Sequence, residues 1–125
     1  MKDEIFMKKE FTYEFAEING KNEMLIFLKS LDKRESAKVF ANIYKLLEIL
    51  NLGIRPKESL SKYVQDGIFE LKVSLKNKIS RSFYFYESNG ILIFTHGFIK
   101  KTTKLPQNEI NKAIKIKELY LGVKK

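Results

Sequence analysis

Three runs rich in β-branched and aromatic residues, 68–75, 79–86 and 91–99, follow one another with Lys76-Asn77-Lys78 in the first gap and Ser88-Asn89-Gly90, after Glu87, in the second. Side chains of a strand alternate between the two faces of a sheet. Connections this short can join only antiparallel neighbours, so the middle of the chain is committed to a three-stranded meander. Ser88-Asn89-Gly90 is in addition a strong hairpin-turn signal.

The flanking segments follow other periods. Phe11, Tyr13 and Phe15 alternate with Thr12, Glu14 and Ala16, which predicts a half-buried strand over 11–18 that Asn19-Gly20 ends. Met24, Leu25, Phe27, Leu28 and Leu31 fall at helical spacing, and Asp32 with Glu35 three residues on has the form of a capping box for a second helix. The stripe of that helix is Val39, Phe40, Ile43, Tyr44, Leu47 and Leu50, with Gly53 and Pro56 as its stop, and the two helices are expected to form an antiparallel hairpin. Residues 53–66 are polar and read as a connecting loop. Pro106 is placed in the first turn of a last helix, with Ile110, Ala113, Ile114 and Leu121 toward the sheet and Lys112, Lys115 and Lys117 toward water. The expected fold is one α+β domain in the order β-α-α-β-β-β-α, for which 125 residues at 44% hydrophobic composition suffice.

The chain has no cysteine and one histidine, so a disulfide framework or thiolate metal site is excluded and neither a structural zinc nor a cofactor is expected. The first residues lack the apolar region of a signal peptide, and no apolar run approaches the ~20 residues that span a bilayer. A soluble cytoplasmic protein is expected. Charge is distributed unevenly: residues 1–50 hold nine Lys/Arg against nine Asp/Glu, whereas residues 51–125 hold fifteen against six and so carry the whole formal +9. Such a bias suits a polyanion, because each cation set against a phosphate releases a condensed counterion. A solvated lysine-rich surface would give the same count, since only three of the 24 basic residues are Arg.

Residues able to do chemistry fall in the basic half. Glu70 and Lys72 share one face of the first meander strand, and His96 and Lys100 share one face of the third. A two-residue turn at Asn77-Lys78 would pair Lys76 with Ile79 and Ser74 with Arg81, bringing Arg81 onto the Glu70/Lys72 face; a one-residue shift would place it among Phe69, Leu71 and Val73 at a high desolvation cost. The first register, with Arg81 on an exposed face, is the expectation. Cleavage of RNA through its own 2′-hydroxyl needs a base, donors for the crowded phosphate and an acid for the departing 5′-oxygen, and one carboxylate, one imidazole and several cations suit it without a metal. Each of these residues taken singly is more often an exposed ion-pair partner or a hydrogen-bonded bystander. The run Phe83-Tyr84-Phe85-Tyr86 is read as core on one face, with stacking on RNA bases as the sharper alternative.

Asp66-Gly67-Ile68-Phe69-Glu70-Leu71-Lys72-Val73, then Ser80-Arg81-Ser82-Phe83-Tyr84, then His96-Gly97-Phe98-Ile99-Lys100-Lys101-Thr102 and Pro106 resemble the phage-derived Gp49-like family of HigB-type toxins in the RelE superfamily. The resemblance covers about residues 11–120 and is strongest over 66–106. It implies a RelE-like fold and a ribosome-dependent mRNA endonuclease, the toxin of a type II toxin–antitoxin pair, neutralised by a HigA-like helix-turn-helix antitoxin. By the same resemblance Arg81 matches the arginine used at the scissile phosphate, Glu70 and Lys72 match the Glu and Arg of the first block, and Lys100 and Lys101 match the basic pair after the last strand. Lys72 replaces the usual Arg, keeping the charge but losing the bidentate fork. The tyrosine that RelE carries in its final helix has no counterpart at Gln107–Asn111, so the division of acid and base roles is not carried over from that enzyme; proton transfer is assigned to Glu70 or His96. Lys76, Lys78, Lys100, Lys101 and Lys104 are the expected RNA-binding residues.

Two other readings fit the same residues: a noncatalytic RNA- or ribosome-binding module of the same fold, and an interaction protein whose basic sheet holds an acidic partner.

Overall fold

The computed structural model describes residues 10–88 and 90–122. Along the chain run β1 (Thr12–Phe15), α1 (Glu23–Lys29), α2 (Lys33–Asn51), β2 (Ser61–Gln65), β3 (Ile68–Leu75), β4 (Lys78–Glu87), β5 (Ile91–Lys100) and α3 (Gln107–Gly122). The strands form one mixed sheet in the order β1-β5-β4-β3-β2, in which β1 is parallel to β5 and all other neighbours are antiparallel. The α+β class and the meander stand as expected. The order has one strand more than the sequence suggested, because Ser61–Gln65, within the expected loop, pairs with β3. Asp66 and Gly67 make this possible: both adopt positive φ (51° and 79°), the backbone a two-residue hairpin turn requires.

The first helical pair starts as the capping signals indicate. Asn22 accepts from the amide of Leu25, and at Asp32 both halves of the capping box form, Glu35 N–H to the Asp32 carboxylate at 2.8 Å and Asp32 N–H to Glu35 at 3.1 Å. α1 rests on β5 and α2 on β3, so both apolar stripes are spent on one sheet face. There Met24, Phe27, Val39, Ile43 and Leu46 meet Leu71, Val73, Tyr84, Leu92 and Phe94. Gly97 allows the close approach of α1, since a Cβ at that position would collide with the Phe27 ring. α3 covers part of the other face, where Ile110, Ala113 and Ile116 pack on Ile68, Phe83, Phe85 and Ile93.

Pro106 stands just before α3 and its carbonyl accepts from the amides of Glu109 and Ile110, so it caps the helix from outside the first turn. Lys117, expected in water, instead donates to the carbonyl of Asp66 at 2.8 Å and lies 5.8 Å from the centre of the Phe85 ring. Lys112 is exposed and pairs with Glu23 at 3.3 Å, joining α3 to α1. Among the described residues no helix is long and apolar enough to cross a membrane.

Candidate nucleic-acid interface

The end of the sheet that α3 leaves free is set by the register of β3, β4 and β5. Leu75 pairs with Lys78 and Lys72 with Arg81, so the tight turn is Lys76-Asn77 rather than Asn77-Lys78. Asn77 takes a left-handed φ of 62°, which asparagine tolerates better than most residues. The expected partner of Arg81, Ser74, is replaced by Lys72, a displacement of two residues that preserves face parity. Arg81 therefore does share the Glu70/Lys72 face, but not as an exposed residue. Arg81 is 7% exposed and Glu70 is fully buried.

β5 reaches the same face through a bulge. Phe83 pairs with His96 and Tyr84 with Phe94, leaving Thr95 as the extra residue. Without it, strict alternation from Leu92 and Phe94 would turn His96 toward the paired helices. With it, His96, Phe98 and Lys100 fall on the Glu70/Arg81 face. Cross-strand rows then run Lys62, Glu70, Phe83, His96 and, one step on, Lys72, Arg81, Phe98.

Glu70 is gripped by two cations. Its Oε1 accepts from Arg81 Nη1 at 3.0 Å, while Lys72 Nζ stands 4.0 Å from Oε2. Glu70 Oε2 and Arg81 Nε, although buried, have no hydrogen-bond partner among the described residues. Burial and the nearby charges of Arg81, Lys72 and Lys62 push the Lys100 ammonium below the ordinary lysine range, with Glu70 pulling the other way. Four cations thus surround one carboxylate. Lys62 belongs to this group because β2 brings it there, and sequence reasoning, which expects a loop over that segment, does not find it.

His96 is 1% exposed and has both ring nitrogens engaged. Nε2 lies 2.9 Å from Glu109 Oε1 and Nδ1 lies 3.2 Å from the Thr95 hydroxyl, which is also 3.3 Å from the carbonyl of Phe83. A carboxylate only accepts, so Nε2 carries the proton toward Glu109, while the single Thr95 hydroxyl proton goes to the Phe83 carbonyl and leaves the hydroxyl oxygen beside Nδ1. Burial lowers the His96 pKa below its ordinary value, against the hydrogen bond with Glu109, which raises it. Glu109 is the partner that sequence reasoning missed; it lies far along the chain in the first turn of α3.

Lys101 and Lys104 are exposed in the segment leading to α3, which is braced by the Thr102 hydroxyl donating to the Lys104 carbonyl at 2.8 Å. Lys76 and Lys78 are separated from this group. Lys76 is in the β3–β4 turn, and Lys78 pairs with Glu35 at the start of α2 at 2.9 Å. Among the described residues no cluster of His, Asp and Glu could hold a metal ion.

These features define a small α+β domain with a cationic sheet end. The chain belongs to the family of phage-derived Gp49-like proteins, whose profile matches residues 26–118. That stretch contains every residue of the cation group, and membership in this toxin-like family, related to RelE and HigB, is consistent with a toxin role. No curated protein matches the chain.

Proposed function

We propose that the chain is the toxin of a type II toxin–antitoxin pair, a RelE-like, ribosome-dependent endoribonuclease that cuts mRNA through the 2′-hydroxyl of the message, and that a HigA-like helix-turn-helix antitoxin neutralises it. The observation that supports this reading is the excess of cations over carboxylates around Glu70, which together with burial disfavours the proton on Lys100. An ordinary structural ion pair has no use for three further positive charges, whereas a phosphate gaining charge in a transition state does. In this reading Arg81 and Lys72 stabilise the phosphorane-like oxygens as the 2′-oxygen attacks phosphorus and the bond to the 5′-oxygen breaks. Glu70 Oε2, which faces Lys72 at 4.0 Å but makes no hydrogen bond among the described residues, is the oxygen that would accept the 2′-hydroxyl proton, and Lys100 would give one to the departing oxygen. His96 acts through Glu109 rather than on RNA.

The test is induction in a bacterial host with mapping of mRNA 5′ ends. Growth should stop and cuts should fall within translated frames. Lys72 has a partly exposed side chain, so Lys72→Ala should leave the thermal melt within about 0.5 kcal/mol of the parent while lowering cleavage on the order of 10²–10³-fold, by analogy with the loss of one oxyanion donor. A cleaving Lys72→Ala protein would remove that residue from the mechanism. A co-expressed antitoxin should restore growth and protect Lys100 and Lys101 from chemical modification if it covers the cation group.

The second reading, a noncatalytic RNA- or ribosome-binding module, is favoured by one observation: Glu70 is fully buried and both nitrogens of His96 are engaged, so neither presents an open proton-transfer group. Arrest with intact mRNA would select it.

A further inference from the structure

On the far side of the β2 edge lies a cleft of about 370 Å³ that the cation group does not account for. Its floor is Phe69. Tyr63 and Tyr86 both stand on edge to that ring, at centroid distances of 5.2 Å and 5.1 Å and interplanar angles of 75° and 81°. The polar lining of the cleft is the buried Ser61 and Tyr84 hydroxyls, 2.7 Å apart, with Lys62, Arg55 and one carboxylate, Glu58. Tyr63 is 56% exposed and Tyr86 37%, so both rings keep open area beside Phe69.

We propose that this cleft is a subsite for one nucleobase of single-stranded RNA. Aromatic side chains that offer π surface to a planar heterocycle, with a hydroxyl pair for its polar edge and a cation for the adjoining phosphate, make a recurring kind of base-stacking platform. A volume of about 370 Å³ is within the span of small-ligand sites. Lys62 ties the two places together. It lines the cleft and its charge is also felt at Lys100, so a strand whose phosphate sits at Arg81 and Lys72 can turn over the β2 edge and lay a neighbouring base against Tyr63.

This subsite rests on the RNA-directed reading of the function, and its test separates the two. Binding of a 2′-O-methyl RNA oligonucleotide, which cannot be cut, is measured for the parent, Tyr63→Ala, Tyr63→Phe and Lys72→Ala, together with nucleoside monophosphate titrations followed by the aromatic resonances of Tyr63 and Phe69. Tyr63→Ala should weaken oligonucleotide binding about tenfold or more, Tyr63→Phe should stay near the parent, and an oligonucleotide carrying abasic positions should no longer tell Tyr63→Ala from the parent. Tight binding that is indifferent to Tyr63→Ala but lost in Lys72→Ala would overturn the subsite and leave the endoribonuclease reading standing. Monophosphate shifts at Tyr63 and Phe69 from a chain that cuts no mRNA would support the subsite while removing the catalytic reading. Absence of binding in both experiments would overturn the subsite, while the mapping of mRNA 5′ ends decides the endoribonuclease reading separately.

Discussion

Arg81 changes character between sequence and structure. A charged residue on a strand beside Glu70 and Lys72 reads as an exposed phosphate donor, yet its guanidinium is buried against a carboxylate with no exposure at all. Deleting Arg81 takes from the buried Glu70 carboxylate its only hydrogen-bonded cation and leaves it the more distant Lys72, so Arg81→Ala should lower unfolding free energy by roughly 3 kcal/mol, measured by urea denaturation. Arg81→Met combined with Glu70→Leu removes both charges and should recover most of that loss. A loss of activity in Arg81→Ala alone therefore says little about chemistry. His96 gives a second prediction. Its native pKa is lowered by burial, so in the window below its ordinary value of 6.5 the unfolded chain binds more protons than the folded one. The contribution of His96 is fully present above pH ~6.5 and declines as pH falls through that value toward the native pKa. Melting temperature should fall between about pH 7.5 and pH 5.5, and His96→Gln should flatten that part of the profile. Glu109, Lys112 and Glu23 are the charged neighbours that act on the ring.

Elements are legible where local chemistry dictates them. Asp32 and Glu35 announce α2, and the capping box is complete; Asp32→Ala should cost about 1 kcal/mol in a denaturant titration. β2 escapes a reading of the sequence although its signal is present. Asp66-Gly67 is among the strongest two-residue hairpin sequences, and Tyr63-Val64 before it are strand formers, but the polar residues around them give the segment the composition of a loop. The Thr95 bulge has no signal, because an unpaired residue is a property of two strands together and not of either sequence. Gly97 gives the element-scale prediction. Its missing side chain lets Phe27 lie on β5, so Gly97→Ala should displace α1 and destabilise the fold by about 1–3 kcal/mol. Adding Phe27→Leu should recover part of that stability, and double-mutant analysis of unfolding would measure the coupling.

Over the whole molecule the excess charge lies downstream of Asn51. Replacing Lys100, Lys101 and Lys104 by Glu should weaken RNA or ribosome binding and reduce its salt dependence by roughly one unit of slope for each phosphate no longer neutralised, whereas the same changes at Lys2, Lys8 and Lys9, which lie outside the described residues, should matter little. Equal effects from the two triples, read from binding isotherms across a salt series, would refute the uneven footprint. The three strands of the meander, the helical segments, the face shared by Glu70 and Lys72, and the sign of the net charge were decided by sequence alone, because side-chain alternation, helical spacing, caps and formal charge are local properties; the face of Arg81 waited on the β3–β4 register. Only the tertiary structure decided how deep Glu70 and Arg81 lie, that β1 runs parallel to β5, that Glu109 holds His96, and that Lys62 joins the cation group. Burial and cross-strand partnership depend on which distant segments cover a face, and no local pattern in the sequence carries that information.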